Sequence, residues 1–296
     1  MHLFSHDEAH GTPDAAFPNN WFSVPPPGDT LVLWPMKCPN RRRERRPDLV
    51  AFLESRPGWR RTIDLTAHEE RQRFLEGTGS VVFDHVARVA FVAVSERSDQ
   101  ALAAEALAGL GYAVVAFRAT DGAGAPIYHT NVLMAVGTRV AVWCAEAVED
   151  PAERAAVAAA LVGAPPSLAA EGAPRAPPAI EVDRAAADPG VEAGSGTGVA
   201  SASEPCARTV VAITRAQMAE FCGNILEVAT GQGGSDALGS VSLPALAMSS
   251  RAFAAFTEDQ RAVLKAAVPG GLLHAAIPTI EAVGGGGVRC CIAELF

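Results

Sequence analysis

The sequence lacks several features that would place the protein in a large functional class. No apolar run approaches the roughly 18 residues that a membrane-spanning helix needs. The first residues, MHLFSHDEAHG, lack the basic start and apolar stretch of a signal peptide. Charged residues make up only 19% of the chain, and the net charge is −9. We therefore expect a cytoplasmic protein that binds neither membranes nor nucleic acid.

Cysteine and histidine do not form a recognisable metal or disulfide pattern. The six cysteines include no CxxC pair, so the sequence predicts neither a zinc site nor a disulfide framework. The histidines at positions 2, 6 and 10 have helical spacing, but we expect a frayed terminus there. The one dense basic run, RRRERR at residues 41–46, precedes a predicted helix, and we interpret it as a solvated loop.

Residues 163–207 differ from the rest of the chain in composition. They are rich in Ala, Pro, Gly and Ser and have no apolar periodicity. Such a segment cannot bury enough surface to offset the entropy lost on ordering. We expect a low-complexity, disordered insertion within a single catalytic domain that spans residues 1–296.

Outside that segment, short continuous apolar runs alternate with helix-like stretches, a pattern typical of the α/β class. The predicted strands cover residues 31–34, 81–84, 89–95, 113–117, 131–136, 141–145, 210–213, 225–229, 246–249 and 272–277. The predicted helices cover residues 47–55, 98–110, 151–161, 215–222 and 257–267. Four of these helices have a residue suited to an N-cap, namely Ser98, Asp150, Thr214 and Thr257.

Five polar or glycine-rich loops each come just before a predicted strand. They contain Asn20, Glu76, His129, Asn224 and Cys290 and lie roughly 50 to 65 residues apart once the insertion is left out. Five similar units suggest a closed, propeller-like array in which each unit delivers one loop to a common axis. A site built from these loops would combine a thiol nucleophile, an imidazole acid–base and a carboxylate.

Six motifs in and near these loops resemble the signature loops of guanidine-modifying enzymes. They are FPNNW (17–21), FLEGTGS (74–80), SER (95–97), YHTNV (128–132), FCGNIL (221–226) and GGGGVRCCIAE (284–294). These enzymes form the pentein superfamily of arginine deiminases, dimethylarginine hydrolases and amidinotransferases, and the sequence is most similar to the citrulline-utilisation hydrolase branch. The resemblance implies a five-bladed α/β propeller of ββαβ-type modules. Family members carry a further strand and helix before the first motif, so we expect the first module to be incomplete.

The resemblance also implies catalytic roles. Cys290 would be the nucleophile, with Cys291 as the alternative. We expect a strand here, on which alternation lets only one of the two thiols face the site. His129, which we expect to open a strand, would be the general acid and base. Glu76 would pair with the substrate guanidinium.

The expected substrate-binding residues are Asn20, Arg97, Asn131 and Asn224. Asn20 stands where many relatives have aspartate, so it would be a neutral hydrogen-bonding partner. Arg97 resembles the arginine with which dimethylarginine hydrolases hold the substrate carboxylate, although an exposed arginine at a helix start fits nearly as well. Asn131 would contact the substrate or orient the catalytic histidine.

The activity that the resemblance implies is hydrolysis of the guanidino C–N bond of arginine or a related guanidine. The reaction would pass through a covalent thiouronium intermediate and give citrulline, or another ureido product, with ammonia or an alkylamine. An amidinotransferase would differ only in letting an amine capture the intermediate, and a non-catalytic binding propeller is the third interpretation. The family's second acid after Glu76 is missing, which favours the hydrolase and leaves the substrate open. We expect no metal and no cofactor, and whether the protein is a homo-oligomer stays open.

Overall fold

The computed structural model describes residues 2–163, 208–230 and 242–296. In these ranges the strands form four three-stranded sheets with the same order. In every sheet the first strand is antiparallel to the second, and the second is parallel to the third. The predicted insertion lies outside the described residues, apart from Gly163. The α/β class is therefore confirmed as a mixed fold of small sheets.

The sheets follow one another along the chain. The first contains β1 (Phe22–Ser23), β2 (Thr30–Leu33) and β3 (Arg61–Asp64), and the second β4 (Val81–Asp84), β5 (Val89–Ala93) and β6 (Ala113–Phe117). The third contains β7 (Met134–Val136), β8 (Val140–Trp143) and β9 (Thr209–Ala212), and the fourth β10 (Leu226–Thr230), β11 (Leu243–Ser249) and β12 (Leu272–Ala275).

Helices connect the parallel strands, because such a pair needs a crossover. The described α-helices are α1 (Pro39–Arg42), α2 (Pro47–Glu54), α3 (Gly77–Ser80), α4 (Gln100–Gly109), α5 (Thr130–Leu133), α6 (Pro151–Leu161), α7 (Arg215–Ala219), α8 (Ser250–Ala255) and α9 (Glu258–Ala267). Helix α6 packs on β6 of the preceding sheet, and α9 packs on β9 in the same way. The third sheet is thus joined to the second, and the fourth to the third.

Three of the four predicted N-caps are confirmed. The side chains of Asp150, Thr214 and Thr257 accept hydrogen bonds from the first turn of their helices. The prediction of Ser98 was wrong: α4 begins at Gln100, and Asp99 caps it by accepting from the Leu102 N–H. The backbone of Ser98 is instead used in a bridge to Ser95.

The predicted strands agree with the structure where the apolar run is continuous. Strands β4 and β6 begin and end at the predicted residues. Strands β1 and β3 were missed, since β1 has only two residues and β3 has one buried residue among four. The strand predicted at residues 131–136 begins as the helical turn α5, and β7 starts only at Met134.

The expectation of an incomplete first module stays a prediction. The sheet that follows the first loop has all three strands. In the described ranges, an isolated bridge between Leu295 and Val24 connects the residues after the fifth loop to the segment that follows β1. No helix in the described ranges is long and apolar enough to cross a membrane.

Large buried side chains join the sheets. Phe91, Leu133, Trp143, Met248 and Phe256 belong to one core cluster that extends over the second, third and fourth sheets. Fully burying a side chain of this size stabilises the fold by about 1.5–3 kcal/mol. This core holds the ends of the first strands, and the turns that precede them, in fixed relative positions.

Candidate active site

The five loops predicted to meet do contact one another, and four of them contain a short helical turn. The turn Pro18–Asn20 contacts α3 on one side and the turn Val288–Cys291 on the other, and α3 also contacts α5. Asn224 closes the series: its Nδ2 donates to the Asn131 carbonyl of α5 at 3.0 Å, and its carbonyl accepts from Arg289 N–H at 3.5 Å. The segments therefore form a closed ring of contacts.

Glu76 and His129 form a buried pair between α3 and α5. Glu76 Oε2 lies 2.8 Å from His129 Nε2, and Glu76 Oε1 accepts from the Lys37 N–H at 2.9 Å. Burial opposes ionisation of Glu76, but the hydrogen bond from His129 and the charges of His129 and Arg97 lower its pKa to about 2. Burial lowers the pKa of His129, against the opposing effect of Glu76. The carboxylate is thus the ionised member, and the imidazole is fixed by it.

Glycines in α3 allow these turns to approach closely. A Cβ at Gly79 would lie 2.3 Å from Asn20 Nδ2 and 2.9 Å from the His129 ring. Gly77 has φ +46°, and a Cβ there would lie 2.4 Å from the Asn19 carbonyl oxygen. Larger residues at either position would force the turns apart.

Cys290 lies in the turn Val288–Cys291 and is 9% exposed. Its Sγ is 3.2 Å from Asn224 Nδ2 and 3.8 Å from Asn131 Nδ2. Burial raises the pKa of the thiol, and the hydrogen bond from Asn224 opposes this effect. Amide donors around a sulfur stabilise its negative form, which is the nucleophilic one.

The strand predicted for the two neighbouring cysteines is wrong, because both lie in one helical turn. Alternation on a strand therefore cannot decide between them. The contacts do: Cys290 Sγ meets the Asn224 amide, whereas Cys291 Sγ donates to the Gly287 carbonyl at 3.5 Å. Burial raises the pKa of Cys291 to about 11. Likewise, His129 does not open a strand but precedes α5 as its N-cap residue.

Asn20 is held by an arginine that sequence reasoning assigned to a solvated loop. Arg41 NH1 donates to Asn20 Oδ1 at 2.6 Å, and its other nitrogens donate to both Glu44 oxygens and to the Phe17 carbonyl. Arg41 and Glu44 are both buried. The solvated-loop interpretation of residues 41–46 is therefore wrong. The signal that could have indicated this pair was the lone glutamate three residues after an arginine, a spacing that forms ion pairs on a helix.

Arg97 lies beside the Glu76–His129 pair rather than on an exposed helix start. Its NH1 is 3.4 Å from Glu76 Oε2, and its Cζ is 5.3 Å from the centroid of the Tyr128 ring. Tyr128 was also missed, although it directly precedes His129 in the motif YHTNV. Its hydroxyl donates to the Gly285 carbonyl at 3.4 Å and ties α5 to the glycine-rich loop.

All seven predicted site residues thus lie in one set of contacting turns. They are Asn20, Glu76, Arg97, His129, Asn131, Asn224 and Cys290. Asn131 links the Glu76–His129 pair to the thiol, since it lies two residues after His129 and contacts Cys290 Sγ. Across the described ranges, no group of three or more His, Cys, Asp or Glu side chains is placed to hold a metal ion. The arrangement combines a thiol among amides with a carboxylate-bound imidazole, a set suited to covalent catalysis.

The sequence matches a protein-family model over residues 1–165 and 197–296. That model is described as N,N dimethylarginine dimethylhydrolase, eukaryotic. Comparison with the curated proteins gives no match.

Solved structures share the fold at low sequence identity. The apo structure of ArgZ, an arginine dihydrolase from the ornithine-ammonia cycle in cyanobacteria, is 17% identical with a TM-score of 0.60, over 97% of this chain and 34% of that one. The N-terminal domain of an ArgZ variant, covalently bound to a reaction intermediate, is 15% identical with a TM-score of 0.59, over 97% and 77%. Unliganded AgrE is 17% identical with a TM-score of 0.57, over 97% and 31%. The chain therefore spans about a third of the full-length ArgZ and AgrE chains.

Proposed function

The chain belongs to the N,N dimethylarginine dimethylhydrolase family, among the guanidine-modifying enzymes of the pentein superfamily, and we propose that it hydrolyses the guanidino C–N bond of arginine or a related guanidine. The observation that carries this proposal is the position of Cys290 among amide donors, in the same ring of contacting segments as the Glu76–His129 pair. Asn131 contacts the Cys290 sulfur and lies in the helical turn that follows His129, which supports a substrate group shared by the nucleophile and the acid–base.

The first half-reaction forms a covalent bond to the enzyme. A guanidinium carbon is stabilised by resonance, so its attack requires a thiolate rather than a thiol. When the substrate cation is bound, the Cys290 thiol proton passes to His129, which thereby becomes the acid of the next step. The Cys290 Sγ electron pair forms a bond to this carbon, and a C=N electron pair moves onto nitrogen. The tetrahedral carbon then expels one nitrogen with its bonding electrons, and His129 supplies the proton that this nitrogen takes. A thiouronium on Cys290 remains.

Water completes the reaction. His129, held by Glu76, takes a proton from the attacking water, whose oxygen bonds to the thiouronium carbon. The second tetrahedral carbon expels the sulfur with the C–S electron pair, and its hydroxyl proton passes through solvent to the released ammonia or amine. This regenerates the thiolate and leaves a neutral ureido product. Asn20, held by Arg41, is proposed to bind the substrate, and no step uses a metal or a cofactor.

We also propose that the chain forms one catalytic domain with the five-bladed propeller architecture of ββαβ-type modules. The support is the identical topology of four sheets and the closed ring of five contacting segments. Residues 163–207 are proposed to be an insertion in this domain. In support, the family model matches both sides of residues 166–196 and not those residues themselves.

A second candidate is an arginine dihydrolase, the activity named for ArgZ. Such an enzyme would continue from the ureido product to a second C–N hydrolysis. The amides of Asn131 and Asn224 around the Cys290 sulfur favour this candidate, because a neutral ureido group can hydrogen-bond to amides without a second carboxylate. An amidinotransferase would use the same first half-reaction with an amine in place of water.

Incubation with arginine, agmatine, methylated arginines and citrulline tests these candidates. Detection of ureido products, ornithine and ammonia separates one hydrolysis from two, and added glycine or ornithine reveals amidino transfer. Mass spectrometry of the acid-quenched enzyme should find the adduct on Cys290. Absence of turnover and of any adduct with every guanidine would refute the hydrolase and favour a non-catalytic binding protein.

A further inference from the structure

Glu76 has two carboxylate oxygens, and the chain itself uses both. Oε1 accepts from the Lys37 N–H at 2.9 Å, and Oε2 is shared by His129 Nε2 at 2.8 Å and Arg97 NH1 at 3.4 Å. The carboxylate is 0% exposed, so it has no free surface for a further partner. A substrate guanidinium that pairs with Glu76 has to replace one of these three donors.

Arg97 is the donor that is able to leave. Its contact is the longest of the three, whereas the Lys37 donor is a backbone amide and His129 is buried. The Arg97 side chain is 26% exposed, so a path to solvent exists. The buried Nε of Arg97 has no hydrogen-bond partner in the described part of the chain. An unpaired buried donor costs free energy, so a side-chain position in which water reaches Nε is more favourable for this group.

Tyr128 provides a second position for the displaced guanidinium. Arg97 Cζ already lies 5.3 Å from the centroid of this ring, within the range of a cation–π contact, and Tyr128 is 39% exposed. The backbone of Arg97 need not move, because its carbonyl accepts from Ser80 Oγ at 2.8 Å and from the Glu76 N–H. Rotation of the side chain alone therefore removes this donor from Oε2, which keeps its contact with His129 Nε2.

We propose that Arg97 is a displaceable counter-cation of Glu76, which exchanges with the guanidinium of a cationic substrate. This inference rests on the proposed function. The exchange makes cationic guanidines compete with Arg97, whereas neutral ureido ligands do not. An arginine that anchors the substrate carboxylate has the opposite consequence, since its loss weakens the binding of arginine and leaves agmatine, which has no carboxylate, unaffected.

Binding to a protein that cannot turn over distinguishes the two roles. The affinities of agmatine, arginine and citrulline are measured by calorimetry for Cys290→Ser and for the same protein with Arg97→Gln. The matched control adds Arg73→Gln instead, because Arg73 is similarly exposed (28%) and pairs at 3.0 Å with Asp99, which is not one of the predicted site residues. Arg97→Met serves as a second neutral variant in case the first folds poorly.

We expect Arg97→Gln to tighten agmatine binding by about 2- to 5-fold, which corresponds to the removal of one weak ion pair. Citrulline affinity should stay the same, and Arg73→Gln should change neither. Unchanged or weaker agmatine binding in both neutral variants would overturn the inference, and a selective loss of arginine binding would identify a carboxylate anchor. If no variant binds any guanidine, the proposed function fails together with the inference, whereas binding without the agmatine gain refutes the inference alone.

Discussion

Replacing Glu76 with glutamine keeps the shape of the side chain but removes its charge. The native carboxylate accepts hydrogen bonds from the Lys37 N–H, from His129 and from Arg97. Glutamine has one acceptor oxygen and one NH₂ group, so its NH₂ has to face at least one of these donors. We therefore expect Glu76→Gln to lose the fixed orientation of His129 and part of the stability of the fold.

The pKa of Glu76 gives the size of the stability loss. Burial opposes ionisation, but the hydrogen bond from His129 and the charges of His129 and Arg97 outweigh it and lower the pKa from 4.5 to about 2. One pKa unit corresponds to about 1.4 kcal/mol, so the ionised group contributes on the order of 3 kcal/mol to the free energy of unfolding. The folded-state pKa is the lower one. The contribution is therefore complete above pH 4.5 and disappears as the pH falls towards 2.

Urea unfolding at pH 7 and at pH 3 measures this contribution in wild type and Glu76→Gln. The difference in unfolding free energy should be largest at pH 7 and clearly smaller at pH 3. Glu258→Gln, a change at an exposed acid, is the control and should stay within about 0.5 kcal/mol of wild type. A difference of the same size at both pH values would refute the reasoning, because it would show that the native carboxyl group is not held ionised.

Binding and turnover give further tests of the site. In the Cys290→Ser background, Glu76→Gln should weaken arginine binding by about 10-fold or more and citrulline binding much less, since a charge-assisted contact is lost only for the cation. Cys290→Ser should abolish turnover, whereas Cys291→Ser should keep most of it, and equal losses in a steady-state assay would contradict our choice of thiol. Gly79→Ala should lower activity more than about 10-fold and destabilise the fold by about 1–3 kcal/mol, because its methyl group would meet Asn20 and His129. Gly122→Ala, with no atom within 4 Å of the added carbon, is the control and should change neither.

The helices and strands that were predicted best are those marked by a pattern within their own residues. Strand β4 is a continuous apolar run, and α6 starts with an N-cap aspartate followed by proline, so both were found with correct bounds. The turns α3 and α5 were missed because four residues cannot show a helical period. Their conformation is set by the neighbouring turns that pack against them.

The site was predictable in its members but not in its contacts. Glu76 was expected to face the substrate, yet its nearest partner is His129, 53 residues away in the chain. Arg41 was missed for the same reason, since its contact with Asn20 spans 21 residues. Residue types and loop spacing indicate which groups meet. Which donor bonds to which acceptor depends on how the turns pack against one another.

The pH dependence of turnover tests how Cys290 becomes a thiolate. Burial raises the pKa of this thiol, and the hydrogen bond from Asn224 only partly opposes the effect, so kcat/KM should increase as the pH rises towards that pKa. A guanidinium bound beside the sulfur favours the thiolate through its charge. Because kcat reports on the enzyme–substrate complex, its rising limb with arginine should lie at lower pH than that of kcat/KM. Coincident limbs would show that the substrate cation does not ionise the thiol, and the proton would then have to pass to a protein group such as His129 before substrate binds.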